Sequence, residues 1–185
     1  MKYKKLILDE HFTNVGLTNS CSNDWEKGEL TLGSSSIPAD DINYGEEYFH
    51  HNIPFVINKN KYNQDNFELE GQTINTDEEQ IKAMHFLSCS CYGDYIFKLY
   101  INDSIEKEVH TKDFISYSIE KNEKISYLDR WKTFPYMNTL NGQNKNQPTI
   151  IWYSKINFDS PIKLEKIKFE DIPMVHIFSI TLEKG

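Results

Sequence analysis

The closing stretch Leu164–Leu182 constrains the fold most. Val175, Ile177, Ser179 and Thr181 fall on one face, with His176, Phe178, Ile180 and Leu182 on the other. That alternation is the period of two of a pleated strand, and one face is apolar enough to lie over a core. Ahead of it Leu164, Ile167 and Phe169 mark another strand, whose odd spacing predicts a bulge that returns the apolar side inward. Asp171-Ile172-Pro173 reads as the tight turn between the two. A chain end this apolar needs a partner, and the opening segment Lys4–Asp9, with Leu6 and Leu8, is the natural one.

Similar patterning recurs along the chain. Gly33–Ala39 predicts a short strand ending at Pro38, and Tyr48–Asn58 an irregular or edge strand broken by Pro54. Phe67–Thr76 alternates. Ile81–Cys91 is nearly continuously apolar, the pattern of a central strand covered on both faces. Tyr95–Asn102 and Ser104–His110 read as a hairpin around Asn102-Asp103. Thr149–Phe158 alternates cleanly again. Two long polar excursions, Phe12–Gly33 and Thr111–Pro148, interrupt the strands, and long loops in compact domains are usually functional. No segment sustains a period of 3.6, so helices are expected only as short pieces in the excursions. The expectation is one all-β domain over residues 1–185: an antiparallel β-sandwich of jelly-roll type with its terminal strands paired.

Charge and cysteine usage exclude several functions. A formal charge of −8 lacks the basic footprint that nucleic acid or an anionic membrane requires. No window is apolar for long enough to span a bilayer, and Leu6–Leu8 is too short a core for a signal peptide. The expected location is cytoplasmic, unless the chain was cut from a longer secreted protein. The three cysteines are an odd number, which argues against a disulfide framework. Cys89 and Cys91 share one strand face and read as small buried hydrophobes, with Cys21 in a loop.

Four segments carry a resemblance: Leu8–Thr18, Glu70–Ile74, the strand pair Ile81–Tyr100, and Val175–Leu182. In their order and spacing the chain resembles the galactose-binding-like β-sandwich domains, in particular those attached to bacterial glycoside hydrolases. The resemblance implies a jelly roll, usually non-catalytic, that binds glycans through loops at one end and sometimes holds a structural calcium. No other cofactor is implied. The 185 residues include no hydrolase domain, a departure from the family's accessory role.

The candidate ligand-binding residues are Trp25, Arg130, Trp131, Tyr136 and Asn138, all on the two excursions. Exposed aromatic rings stack on sugar faces while Arg and Asn hold hydroxyls. Arg130 is the sole arginine among twenty basic residues, which suits a planar fork placed for a purpose. Either tryptophan can equally anchor its loop to the core, and Trp152, inside an alternating strand, is read as core. His50-His51 beside Glu46-Glu47 suggests metal ligands, but neighbours on a strand face opposite ways, so only one is expected to serve a given site. His85 and His176 are read as hydrogen-bonded structural histidines. Asp9, Glu10 and Glu183 offer carboxylates to a cation where the termini meet. No catalytic motif is visible. The expected partner is a carbohydrate or small polar ligand; the alternatives are a lyase, isomerase or cyclase working in a jelly-roll cleft, or a protein-interaction subunit.

Overall fold

A computed structural model of the chain describes residues 2–20, 23–115 and 129–185. The strands are β1 Tyr3–Lys5, β2 Leu17–Thr18, β3 Ile37–Pro38, β4 Glu47–His50, β5 Ile53–Val56, β6 Phe67–Glu70 and β7 Thr73–Ser90. They continue with β8 Tyr95–Ile101, β9 Ile105–Thr111, β10 Asp129–Phe134, β11 Met137–Thr139, β12 Gly142–Asn144, β13 Thr149–Phe169 and β14 Asp171–Lys184. Helical structure among the described residues is limited to two 3-10 turns, Asp9–His11 and Asn23–Lys27. Among the described residues no helix is long and apolar enough to cross a membrane.

The main sheet runs β1-β14-β7-β13-β8-β9, with β10 added to β13 and β6 to β14. The termini pair as expected, Tyr3 opposite Glu183 and Lys5 opposite Thr181. β13 and β14 are consecutive but not neighbours, because β7 lies between them. The register of β13 on β7 shifts between Asn157 and Ile162 and again between Leu164 and Lys166. The second shift is the bulge that the odd Leu164–Ile167 spacing predicts, and such shifts bend a long strand.

Two apolar clusters fill the domain. Met84, Phe86, Ile167, Ile177 and Ile180 belong to the first; Leu87, Cys89, Phe55, Phe178 and Trp152 to the second. β7 therefore has a buried neighbour on both faces from Ala83 onward, as its continuous apolar run requires. The second cluster is closed by the loop layer, which carries the small sheets β2/β3, β4/β5 and β11/β12. Sheets packed this way, antiparallel apart from the short parallel pair β2/β3, make an all-β sandwich.

Three details correct the sequence reading. Tyr48–Asn58 is not one irregular strand but the hairpin β4/β5, turning at His51-Asn52 with both residues at positive φ, 49° and 62°. β7 begins at Thr73, eight residues before the expected Ile81, and takes the end of the expected Phe67–Thr76 strand, because its polar start pairs with Ile162–Lys168 of β13 and Glu78 meets Lys163. Asp171–Pro173 is strand, and the break falls at Glu170; Pro173 sits where the register of β14 on β6 shifts between Ile172 and His176. A proline lacks the N–H a regular ladder needs, so a bulge is where a strand tolerates one.

Candidate functional site

At one end of the sandwich the loop Gly28–Ser34 stands over the edge formed by β6, β14 and the turn after β7. Between them lies a cleft of about 480 Å³, lined among others by Asn14, Glu29, Thr31, Ser34, Glu68, Tyr92 and His176. β14 pairs with β6 so that His176 is opposite Glu68, and with β7 so that His176 is opposite Cys89. Three stretches far apart in sequence are thereby fixed around one opening.

Behind the cleft a buried polar core holds these side chains. Asp65 is fully buried, and its carboxylate accepts hydrogen bonds from the backbone N–H of Gly16 (2.9 Å) and Leu17 (3.1 Å) and from the Asn66 amide (2.9 Å). Burial nevertheless dominates and pushes the Asp65 carboxyl up to about 7. The Asn66 amide oxygen in turn accepts from His176 Nδ1–H at 3.0 Å. Gly16 is required by this crowding: a Cβ there meets Asn66 Nδ2 at 2.5 Å and the Phe178 ring at 2.9 Å.

His176 is fully buried and desolvation lowers it to about 3, so its imidazole is neutral. Among the described residues its Nε2 has no hydrogen-bond partner, a rare condition for a buried polar atom. Asn14, also buried, donates from Nδ2 to Glu68 Oε1 and to the Glu29 carbonyl, both at 3.0 Å. The Glu29 carboxylate accepts from Val15 N at 2.8 Å. Desolvation, then the neighbouring Glu70 and Glu29, raise the Glu68 carboxyl. The outer wall is tied down by Leu32 N–H donating to the Tyr92 hydroxyl at 3.0 Å, while Tyr92 stays 58% exposed. A second groove, of about 540 Å³, is lined by buried Phe12 and by Asp9, Glu10, Lys59–Tyr62 and Gln64, whose polar side chains are exposed or half-buried.

Compared with known proteins, the chain matches no family model and no curated protein. Its site is therefore read from its own geometry.

The residues singled out in the sequence fall into two groups. Trp25 lies in the 3-10 turn leading into the cleft wall, its carbonyl accepting from Gly28 N, and that turn packs beside β11, which carries Asn138. Asn138 is fully buried and donates to Thr18 O and Oγ1, both at 3.0 Å. Tyr136 donates to Asp40 Oδ2 at 2.6 Å and to Ser20 Oγ at 2.7 Å. Trp131 and Arg130 form the second group on β10. Trp131 is half-buried against the second core cluster, edge-on to Tyr48 at 5.7 Å, and occupies the register shift between Arg130 and Lys132. Arg130 is exposed. The loop Asp40–Tyr48 links the groups, since Asp40 meets Tyr136, Asp41 meets Lys132, and Asn43 N–H donates to the Tyr48 hydroxyl.

Trp152 is core, with Nε1 donating to Asp113 O at 2.9 Å. Cys89 and Cys91 are buried free thiols, both pushed up by burial, Cys91 to about 12; Cys21 lies outside the described residues. His85 bonds the Tyr153 hydroxyl through Nδ1 at 2.9 Å. Asp9 accepts from Asn58, while Glu183 is engaged by Lys2, Lys82 and Lys155, so Asp9 and Glu183 have separate partners. Sequence reasoning missed Asn14, Glu29, Glu68 and Tyr92 as a set. Each is an ordinary polar residue, and only long-range pairing gathers them: β14 with β6 and β7, Asn14 with Asn66, and Glu29 with Val15.

Proposed function

We propose that the protein is a binding module for a carbohydrate or sugar-like polyol, with the cleft around His176 as its site. The supporting observation is the lining: two carboxylates, an amide, hydroxyls and a buried imidazole nitrogen without a partner, under one exposed aromatic ring. Each sugar hydroxyl both donates and accepts, so it fits a wall of carboxylates and amides, and Tyr92 offers a face for its C–H groups. Glu29 and Glu68 disfavour an anionic ligand. The paired terminal strands and the resemblance to galactose-binding-like domains support a jelly roll, and the free buried thiols suit a reducing cytoplasm.

Glu68 favours a second reading, an enzyme. Its raised carboxyl stands opposite neutral His176 in the β6/β14 pairing, and a carboxyl raised by burial in a cleft is a candidate acid. A glycan array followed by titration of the hits tests both readings. Glu68→Gln and Tyr92→Ala are expected to weaken binding of a hit about 10-fold or more, the scale of a residue worth above ~1.4 kcal/mol. Retained binding with loss of a detectable product in Glu68→Gln supports the enzyme. Binding indifferent to both changes, and abolished by Trp131→Ala, moves the site to β10.

A further inference from the structure

The β4/β5 hairpin creates a constellation that strand alternation forbids. His50 is the last residue of β4 and His51 the first of the turn. Because His51 takes φ of +49°, its imidazole swings back beside that of His50, and the ring centroids are 4.2 Å apart. Both Nε2 atoms reach the same oxygen, Asp129 Oδ2: His50 at 3.1 Å, and His51 in a closer contact. Asp129 opens β10 opposite Tyr153 of β13, whose ring lies 4.9 Å from that of His50. The expectation that only one of the two histidines serves a given site is thus corrected.

We propose that His50, His51 and Asp129 bind a divalent first-row transition metal ion, of which Zn²⁺ is the type. The three ligand atoms lie within 4.8 Å of one another. A tetrahedral ion with bonds of about 2.0–2.1 Å needs ligand atoms roughly 3.3 Å apart, so small side-chain rotations suffice. Two imidazoles and one carboxylate select zinc and its neighbours over calcium or magnesium, which prefer all-oxygen shells. On binding, each neutral imidazole keeps its proton on Nδ1 and presents the Nε2 lone pair, so the three ligands carry one negative charge in total. Three protein ligands leave a position for water or a ligand, as in an open zinc site. His51 and Asp129 are exposed and His50 half-buried, so an ion reaches them from solvent.

The fold gives little reason for this arrangement. Exposed ion pairs contribute little to stability, and a non-glycine residue at positive φ is disfavoured. Asn-Gly would make the same turn at lower conformational cost. An outlier of this kind at a convergence of ligating atoms points to a site. It is separate from the cleft: His176 there is opposite Cys89, whereas Tyr153 beside the hairpin bonds His85, which is opposite Thr181 farther along β14.

The test uses the full chain, stripped with a chelator and titrated with Zn²⁺ against a chromophoric competitor, then with Co²⁺ for its visible absorption. One equivalent is expected at micromolar concentration or tighter. Loss of one ligand in His51→Ala or Asp129→Asn should weaken it by more than the roughly 10–100-fold typical of outer-shell changes. His110→Ala, an exposed histidine on β9, should leave it unchanged. Unchanged thermal melting of the variants shows that they fold. Zinc affinity that survives both substitutions, or that is only millimolar in the unaltered chain, overturns the proposal.

Discussion

Two clusters in this protein each join an aspartate to histidine, and they differ in what surrounds them. Asp65, Asn66 and His176 are sealed between β14 and the segment Gly16-Leu17, and almost every contact they make completes a backbone or side-chain valence. His50, His51 and Asp129 sit on the rim, satisfy no backbone group among the described residues, and include one residue in a disfavoured conformation. Desolvation dominates the first cluster, so removing a partner is costly there. Water screens the second, so its geometry is free to serve something other than folding. The comparison makes opposite predictions for similar substitutions.

The largest effect is expected at Asp65. Asp65→Ala leaves two backbone N–H groups buried without an acceptor, at about 1–3 kcal/mol each, and takes from the Asn66 amide one acceptor, leaving it Asn14 O and Oδ1. The sum rivals the whole stability of a domain, roughly 5–15 kcal/mol, so this variant should be poorly folded. Asp65→Asn keeps one oxygen and should lose only about 1–3 kcal/mol in urea unfolding. A cooperatively folded Asp65→Ala within about 1 kcal/mol of the original chain breaks the distinction between the clusters.

Next comes the pH response. Asp65 is raised from 3.8 to about 7, so the folded state binds its proton more tightly and this contribution is lost as pH rises through that interval. His176 and His85 are lowered from 6.5 to about 3 and about 4, and their contributions run the other way, gained as pH rises toward 6.5. In Asp65→Asn that opposing slope is gone, while those of the histidines and of other shifted groups such as Glu68 remain. Its stability should therefore climb more steeply than that of the original chain between pH 4.5 and 6.5, by up to about 1.4 kcal/mol per pH unit for the one proton removed. Parallel urea midpoints across this window would show that Asp65 is not held protonated by burial.

What the sequence revealed follows the same division. The paired termini, the covered β7, the β8/β9 hairpin and the bulge after Leu164 were legible because alternation is written in neighbouring residues. The β4/β5 hairpin was not, since His51-Asn52 lacks the usual glycine signal and Pro54 obscured the second strand. The cleft was not either: Asn14, Glu29, Glu68 and His176 meet only through long-range pairing, and nothing in their local sequence marks them. Trp25 and Trp131 were visible because tryptophan is rare, and rarity does not tell an anchor from a binding surface.

Trp131 sharpens that last point with a smaller effect. Its half-buried ring packs on the second core cluster and edge-on to Tyr48. As an anchor of the loop layer, Trp131→Ala should cost about 1–2 kcal/mol in thermal or urea unfolding, within the usual range for such losses, and leave a ligand of the His176 cleft bound as before. A large binding defect with unchanged stability assigns the ring to recognition instead.

The smallest effect on stability, and the sharpest contrast with Asp65, is expected at His51. Asparagine is among the residues best suited to the first position of a two-residue turn at positive φ, and its short side chain does not reach Asp129 as the imidazole does. His51→Asn removes an exposed contact to Asp129 and exposed ring contacts to His50 and Tyr153 while relaxing the turn, so stability should hold or rise by a few tenths of a kcal/mol. Zinc binding should fall sharply in the same variant. A substitution that helps the fold and abolishes metal affinity identifies a residue kept for a purpose other than folding. If it destabilises the chain by more than about 1 kcal/mol, the rim histidines are part of the scaffold, and the two clusters differ in exposure rather than in kind.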